Sequence, residues 1–305
     1  MNFDPLVQTI RQRSGTYVMV RPGLTLRLSY PEPIQMLGSS IAAIIEKYVD
    51  FIKPEALGTY LSGNGTWKSI TGRILARDLS ELRTVKPSDE FVEYHYSLGE
   101  PANVGDYGVH FTGSHLRNDV WPEEENLLLL QFPHDFLSKR GVDAFIEFVT
   151  TVASSHPFGS GVAGYGFHQL YLTFSNEAWN AIAAMAPRYI GFDIDSDGAR
   201  HDSKGRVYNV SWLTLLGSAL ADSLGGAAGL RNALPESIGV RPLPTGVLLR
   251  AADQPIIGDV NRGADDVEPL RLLAQVTRPL RLSVPNLGPD EDRFAERWLN
   301  RFDKP

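Results

Sequence analysis

SWLTLLGSALADSLGGAAGLRNALP, residues Ser211 to Pro235, is the most locally determined stretch of the chain. Trp212, Leu213, Leu216, Leu220 and Leu224 approximate the three- and four-residue steps of one buried helical stripe. Gly225 and Gly226 supply residues that tolerate positive φ at a helix end. Leu230 and Leu234 continue the apolar face until Pro235 stops it. The expectation is two short helices meeting at a glycine pair, with Trp212 in the core. The polar side chains are few: Ser211, Thr214, Ser218, Asp222, Ser223, Arg231 and Asn232. The stretch therefore speaks for packing, and chemistry has to be sought elsewhere.

At 305 residues the chain exceeds an average domain of roughly 100–150 residues. The spacing of its apolar residues predicts an α+β protein of two packed lobes, each a mixed sheet with flanking helices. The lobes would span 1–125 and 126–305, a single continuous domain being the other reading. With 43% hydrophobic and 21% charged residues, the composition is that of an ordinary globular protein. No apolar run approaches the roughly 20 residues a bilayer requires. Met1-Asn2-Phe3-Asp4-Pro5 also lacks the basic start and apolar block of a secretory signal, so a cytoplasmic location is expected. The absence of cysteine excludes disulfides, thiolate metal sites and a cysteine nucleophile.

The formal charge of −7 argues against a nucleic-acid binder, which would present a basic face to phosphates. Its distribution is more telling. Between Pro87 and Glu125 lie nine acids, Asp89, Glu90, Glu93, Glu100, Asp106, Asp119, Glu123, Glu124 and Glu125, against the single Arg117. Such a segment suits either a solvated sheet edge or a face that steers a cationic partner.

Along the chain, Asp4-Pro5 predicts a helix ending at Ser14-Gly15. Tyr17 to Val20 and Leu24 to Tyr30 read as a hairpin turning at Arg21-Pro22-Gly23, with one face buried. Ile34 to Ile52 keeps helical spacing after Pro31-Glu32-Pro33, and Ile74, Leu75, Leu79 and Leu82 mark a second helix. Strands follow at Phe91 to Tyr96 and Tyr107 to Thr112. The order then recurs: Leu127 to Phe132 as strand, Val142 to Val152 as helix, Gly161 to Leu172 as strand, and a helix carrying Trp179, Ile182 and Met185. An internal duplication of a strand-helix-strand-helix unit is one reading, coincidence of common βαβ grammar the other. Strands are expected at Ile238 to Val240, Gly246 to Leu249, Leu270 to Val276 and Leu280 to Val284. A C-terminal helix bearing Phe294, Trp298, Leu299 and Phe302 closes the chain.

Gly159-Ser160-Gly161-Val162-Ala163-Gly164 matches G-x-G-x-x-G, but a helix precedes it and a strand follows, the reverse of a dinucleotide site. Close backbone approach in a strand accounts for it better. Asp193-Ile194-Asp195-Ser196-Asp197-Gly198 starts like a calcium loop, yet Lys204 stands where the twelfth-position glutamate belongs, so an acid-rich turn is favoured. His95, His110 and His115 share a segment with many carboxylates, which makes a metal or acid/base cluster geometrically possible. Satisfied core or solvated histidines are the favoured reading, and no metal, cofactor or catalytic residue is assigned. No G-x-S-x-G elbow is present, and Arg231 is the one basic residue on the second helix of the 211–235 pair, too little for a helix-turn-helix reader.

Met185-Ala186-Pro187-Arg188-Tyr189-Ile190-Gly191-Phe192-Asp193, followed by Val210-Ser211-Trp212-Leu213-Thr214-Leu215-Leu216-Gly217 and Leu224-Gly225-Gly226, resembles the bacterial type VI secretion immunity family, TsiV-like proteins that neutralise VRR-NUC nuclease effectors. The fingerprint positions are Gly191, Asp193, Trp212, Leu213, Leu216, Gly217, Gly225 and Gly226, all of core or turn character. The resemblance implies a cytoplasmic antitoxin without catalysis of its own. It would bind a cognate secreted toxin, a nuclease with a cationic cleft, and block its active site. The nine acids between Asp89 and Glu125 are then the expected contact residues, with neither nucleic acid nor membrane as partner. The alternatives are an enzyme using the histidines and carboxylates of 89–134, or an interaction module outside immunity.

Overall fold

The protein is described by a computed structural model covering residues 3–86, 91–116, 122–170, 173–194, 203–262, 267–282, 294 and 296–303. A 3-10 turn (Asp4–Leu6) leads into β1 (Gln8–Gln12), β2 (Gly15–Tyr30), α1 (Ile34–Ile52), β3 (Thr59–Leu61), β4 (Trp67–Ser69) and α2 (Gly72–Arg83). Next come β5 (Phe91–Ser97), β6 (Gly108–Ser114), β7 (Asn126–Pro133), α3 (Phe136–Arg140), α4 (Val142–Ser154), β8 (Ser160–Gln169) and α5 (Ser175–Met185). The chain closes with β9 (Asp193–Ile194), β10 (Leu213–Gly217), α6 (Ser218–Ser223), α7 (Gly226–Ala233), β11 (Gly239–Leu243), β12 (Gly246–Arg250) and α8 (Glu268–Thr277). Residues 294 and 296–299 are helical as well. The architecture is α+β.

All twelve strands form one sheet in the order β11-β12-β10-β8-β2-β7-β6-β5-β3-β4, with β1 added to β2 and β9 to β8. Every pairing is antiparallel except the short β8–β9 pair. Strand β2 is the middle of it. One flank pairs with β8 from Val20 to Leu28; the other pairs first with β1 and then, from Gly23 onward, with β7. The boundary drawn at residue 125 thus falls inside a sheet whose N-terminal strand is hydrogen-bonded to residues 126–133 and 160–169. Nor does the layout display the repeated unit. Helix α1 is followed by three-residue strands at the sheet's end, whereas α4 is followed by the long central β8.

Leu24, Leu26, Leu28 and Tyr30 project from β2 into a core built with α1, α2 and α4. The opposite face, expected to be solvated, is also covered: Thr25, Arg27 and Ser29 are buried, and the Arg27 guanidinium lies 3.8 Å from the Tyr208 ring centroid. Arg21-Pro22-Gly23 does not turn. Pro22 sits where β1 has ended and β7 has not begun, a place in the ladder where a missing N–H costs nothing. The true hairpin is β1–β2, so the expected N-terminal helix is replaced by a mostly exposed ribbon.

Leu213 to Gly217 is likewise a strand rather than a helix. Leu213 and Leu215 enter the main core while Leu216 faces a second cluster with α6, α7 and α8, so the run is buried on both faces and its alternation is hidden. Trp212 stacks on Phe145 at 6.0 Å between centroids and donates its indole N–H to the Ala252 carbonyl at 2.7 Å. The second half matches the expectation: α6 and α7 meet at Gly225 and Gly226, both at positive φ (83° and 66°). Leu270 to Val276, expected as strand, is α8, because Leu270, Leu273, Ala274 and Thr277 share one buried helical face. Leu280 ends a 3-10 turn (Arg278–Leu280), Arg281 makes an isolated bridge to Val207, and the remainder of that expected strand, 283–284, lies outside the described residues.

Truncating Trp212 removes a stacked ring and one of two donors to the Ala252 carbonyl, Arg250 Nε remaining at 3.0 Å. Trp212→Ala should therefore lower unfolding stability by roughly 3–5 kcal/mol in a urea titration.

Candidate functional site

The acidic segment does not make one continuous face. Strands β5 and β6 form a hairpin in which Phe91 opposes Ser114 and Ser97 opposes Gly108. Glu100 and Asp106 lie in the 98–107 connection, about 20 Å along the strands from the end at Phe91 and Ser114. Glu100 is exposed; Asp106 is partly exposed and paired with Arg21 at 2.9 Å. Glu123 is exposed just before β7. Asp89, Glu90 and Asp119 lie outside the described residues.

Three of the nine acids point inward. Glu124 is 4% exposed and accepts a hydrogen bond from the Ser114 hydroxyl at 3.3 Å. Glu125 is 1% exposed, and burial pushes its carboxyl up to about 7 against the opposing pull of Ser29, the Gly205 amide, Ser203 and Lys204. Both belong to the packing at the start of β7, where Asn126 accepts from the Ser114 amide at 2.7 Å and donates to the Glu32 carbonyl at 2.7 Å. They are therefore not contact residues. The third is Glu93, whose carboxylate turns along the strand to His95, 2.9 Å away.

That contact belongs to a cluster the sequence only partly foreshadows. Register places His95 directly opposite His110, with ring centroids 4.0 Å apart, and Glu93 opposite Thr112 on the same face. The His110 Nε2 lies 2.9 Å from the Thr112 hydroxyl. His95 and His110 are 4% and 8% exposed, and a cavity of about 50 Å³ adjoins them, lined also by Trp67, Gln131 and Gln169. His115 is partly buried beyond the end of β6 and is not in the cluster.

A second arrangement gave no sequence signal. Glu32 lies 2.6 Å from His156 Nε2, and Ser40 lies 2.9 Å from His156 Nδ1. The order Ser-His-Glu is that of a hydrolase relay, but Ser40 sits inside α1, where amide N–H groups are committed to the helix and cannot stabilise an oxyanion. The residues tie the first half of α1 to the end of α4.

The fingerprint residues are structural. Gly191 lies so close to the 256–257 backbone that a Cβ would meet the Ile256 carbonyl at 2.2 Å; Gly217 is packed in the same way against Phe158. Asp193 is buried and accepts from the Ile194 amide at 3.0 Å and Asn209 at 3.1 Å, a turn-fixing role. Asp195 and Asp197 lie outside the described residues. Nearby, Arg188 donates two bonds, of 2.9 and 3.0 Å, to the buried Asp259. Gly161 and Gly164 of the G-x-G-x-x-G run lie within β8, where side chains would strike Leu28 and Ser211.

The profile of the family described as type VI immunity for VRR-NUC matches residues 40–302, from the first turns of α1 to the C-terminal helical residues. The chain belongs to this family. As a member of a type VI immunity family it is an immunity protein and not an enzyme. Among solved structures, the fold is shared with a Pseudomonas aeruginosa T6SS protein, PA0821, at a TM-score of 0.79 and 19% identity, covering 98% of this chain and 88% of that one. No curated protein compared matches the chain. No described helix is long and apolar enough to cross a membrane.

Glu125 offers a test of the inward packing. Its folded pKa lies above the unfolded value, so the fold favours the protonated form; stability falls as pH rises from about 4.5 to about 7 and is then level. Glu125→Gln should remove that penalty. It should be the more stable chain at pH 8, by on the order of 3 kcal/mol at most, with the difference vanishing below pH 4.5 in urea titrations across pH.

Proposed function

We propose that this chain is the immunity partner of a VRR-NUC nuclease effector, binding it inside the producing cell and covering its nucleic-acid cleft. The observation that carries this reading is the extent of the family match, which runs from within α1 to the C-terminal residues and takes in every strand after β2 rather than one motif. A nuclease that grips phosphates needs a cationic cleft. An acidic partner both finds such a cleft faster and competes for it. This chain carries a net charge of −7, and among the described residues of the acidic segment Glu100 and Glu123 are exposed and Asp106 partly so.

Glu100 and Glu123 belong to different ends of the β5–β6 hairpin. An interface of standard size, about 800 Å² per partner and hence roughly 30 Å across, reaches both. The buried Glu124 and Glu125 take no part. The described contact set is thus narrower than the charge count alone suggests, and the steering comes from the field of the hairpin's two ends.

Co-expression with the effector encoded beside this chain should rescue growth and yield a stable complex on purification. In stopped-flow mixing, Glu100→Lys combined with Glu123→Lys should slow association about tenfold at low salt and less at 0.5 M, since exposed charges are screened. Unchanged association would remove the acidic face from the reading. Loss of both rescue and complex with wild-type protein would sink immunity altogether.

A further inference from the structure

The Glu93, His95 and His110 cluster is unexplained by immunity, whose contacts are expected on exposed surface. Its donor atoms, one from each side chain, all lie within 4.8 Å of one another. Two neutral imidazoles and a carboxylate are the donors preferred by zinc and by its transition-metal neighbours, whereas calcium and magnesium demand oxygen ligands throughout. Backbone register supplies the preorganisation: His95 and His110 are a cross-strand pair, and Glu93 is one pleat along on the same face. The second shell is in place too. Thr112 lies 2.9 Å from Nε2 of His110, a contact that fixes the ring and leaves Nδ1 to a metal, and the Trp67 ring stands edge-on to His95 at 6.5 Å.

We propose that Glu93, His95 and His110 form a cross-strand binding site for one zinc-class divalent ion, with a water from the adjoining cavity as the fourth ligand. Metal–ligand distances of about 2.0–2.2 Å bring donor atoms of a tetrahedral site to about 3.5 Å apart. Imidazole and carboxylate rotations supply that adjustment. The cavity of about 50 Å³ exceeds the space one water needs, about 10–15 Å³ on the same measure.

The site would sit where the sheet needs it. On its outer flank β5 pairs with β3 only at Tyr96 and Ser97, so residues 91–95 are held from one side, by β6. An ion bridging Glu93, His95 and His110 would clamp this part of the hairpin, stabilising the fold by an amount that grows with the logarithm of the free ion concentration above its Kd. It would not take part in the toxin contact, so the proposal stands or falls separately from the immunity reading.

The test uses the full chain, stripped with EDTA and dialysed. Cobalt(II) should bind at one ion per chain and develop the visible d–d bands of a four- or five-coordinate site, and zinc should displace it and raise the melting temperature. Glu93→Gln and His110→Asn should each abolish the bands and weaken zinc binding at least tenfold in calorimetry, while His115→Asn leaves both unchanged. Should His110→Asn fail to fold, the more exposed Glu93→Gln alone decides. Absence of cobalt and zinc binding at micromolar concentration, or binding that survives Glu93→Gln, overturns the proposal.

Discussion

Within the sixteen residues of extended chain from Gly15 to Tyr30, the stretch from Gly23 to Leu28 has sheet on both flanks and packed side chains on both faces. Leucines on one face require a helical layer; Thr25, Arg27 and Ser29 on the other require polar partners inside the protein. The pairings to β7 and β8 satisfy the backbone of this segment, and a buried amide left without them would cost as much as a lost core contact. The two halves of the chain are consequently locked together through hydrogen bonds rather than docked through a surface. A lobe that moved would first have to tear the middle of the sheet.

What could be read from the sequence depended on whether an element has a wet side. Helix α1 was legible from Ile34 to Ile52 because one stripe is buried and the rest is not, and α2, α4 and α5 were legible for the same reason. Leu213 to Gly217 and Leu270 to Val276 are short apolar runs, and periodicity alone cannot separate a doubly buried strand from a helix. One proved to be the strand and the other the helix, the reverse of the expectation in both cases. Arg21-Pro22-Gly23 reads as a turn by its residue types, while the strand admits Pro22 because it changes neighbours there, a fact of sheet order invisible locally.

The candidate sites show the same limit. Counting acids found a charged segment, but whether each faces water or protein is set by register, which turned Glu93 toward His95 and buried Glu124 and Glu125. Composition only groups His95, His110 and His115, and the hairpin pairing is what sets the first two together and leaves out His115. The family fingerprint was legible for the opposite reason. Gly191, Gly217, Gly225 and Gly226 are dictated by close backbone contact or positive φ, requirements that leave little freedom in residue type.

The long central strand also sets a clock. Strand β2 leaves the ribosome early, yet the segments that pair with it, β7 and β8, begin about a hundred or more residues downstream. At about 5–20 residues per second, synthesis of that intervening chain takes roughly 5–30 s. Closure of so distant a contact then adds to the delay. Throughout that interval the leucine-bearing part of the strand, Gly23 to Leu28, lacks both of its eventual neighbours. A protein whose value lies in being ready before a toxin arrives gains from being kept as a standing pool, because this topology cannot be assembled on demand.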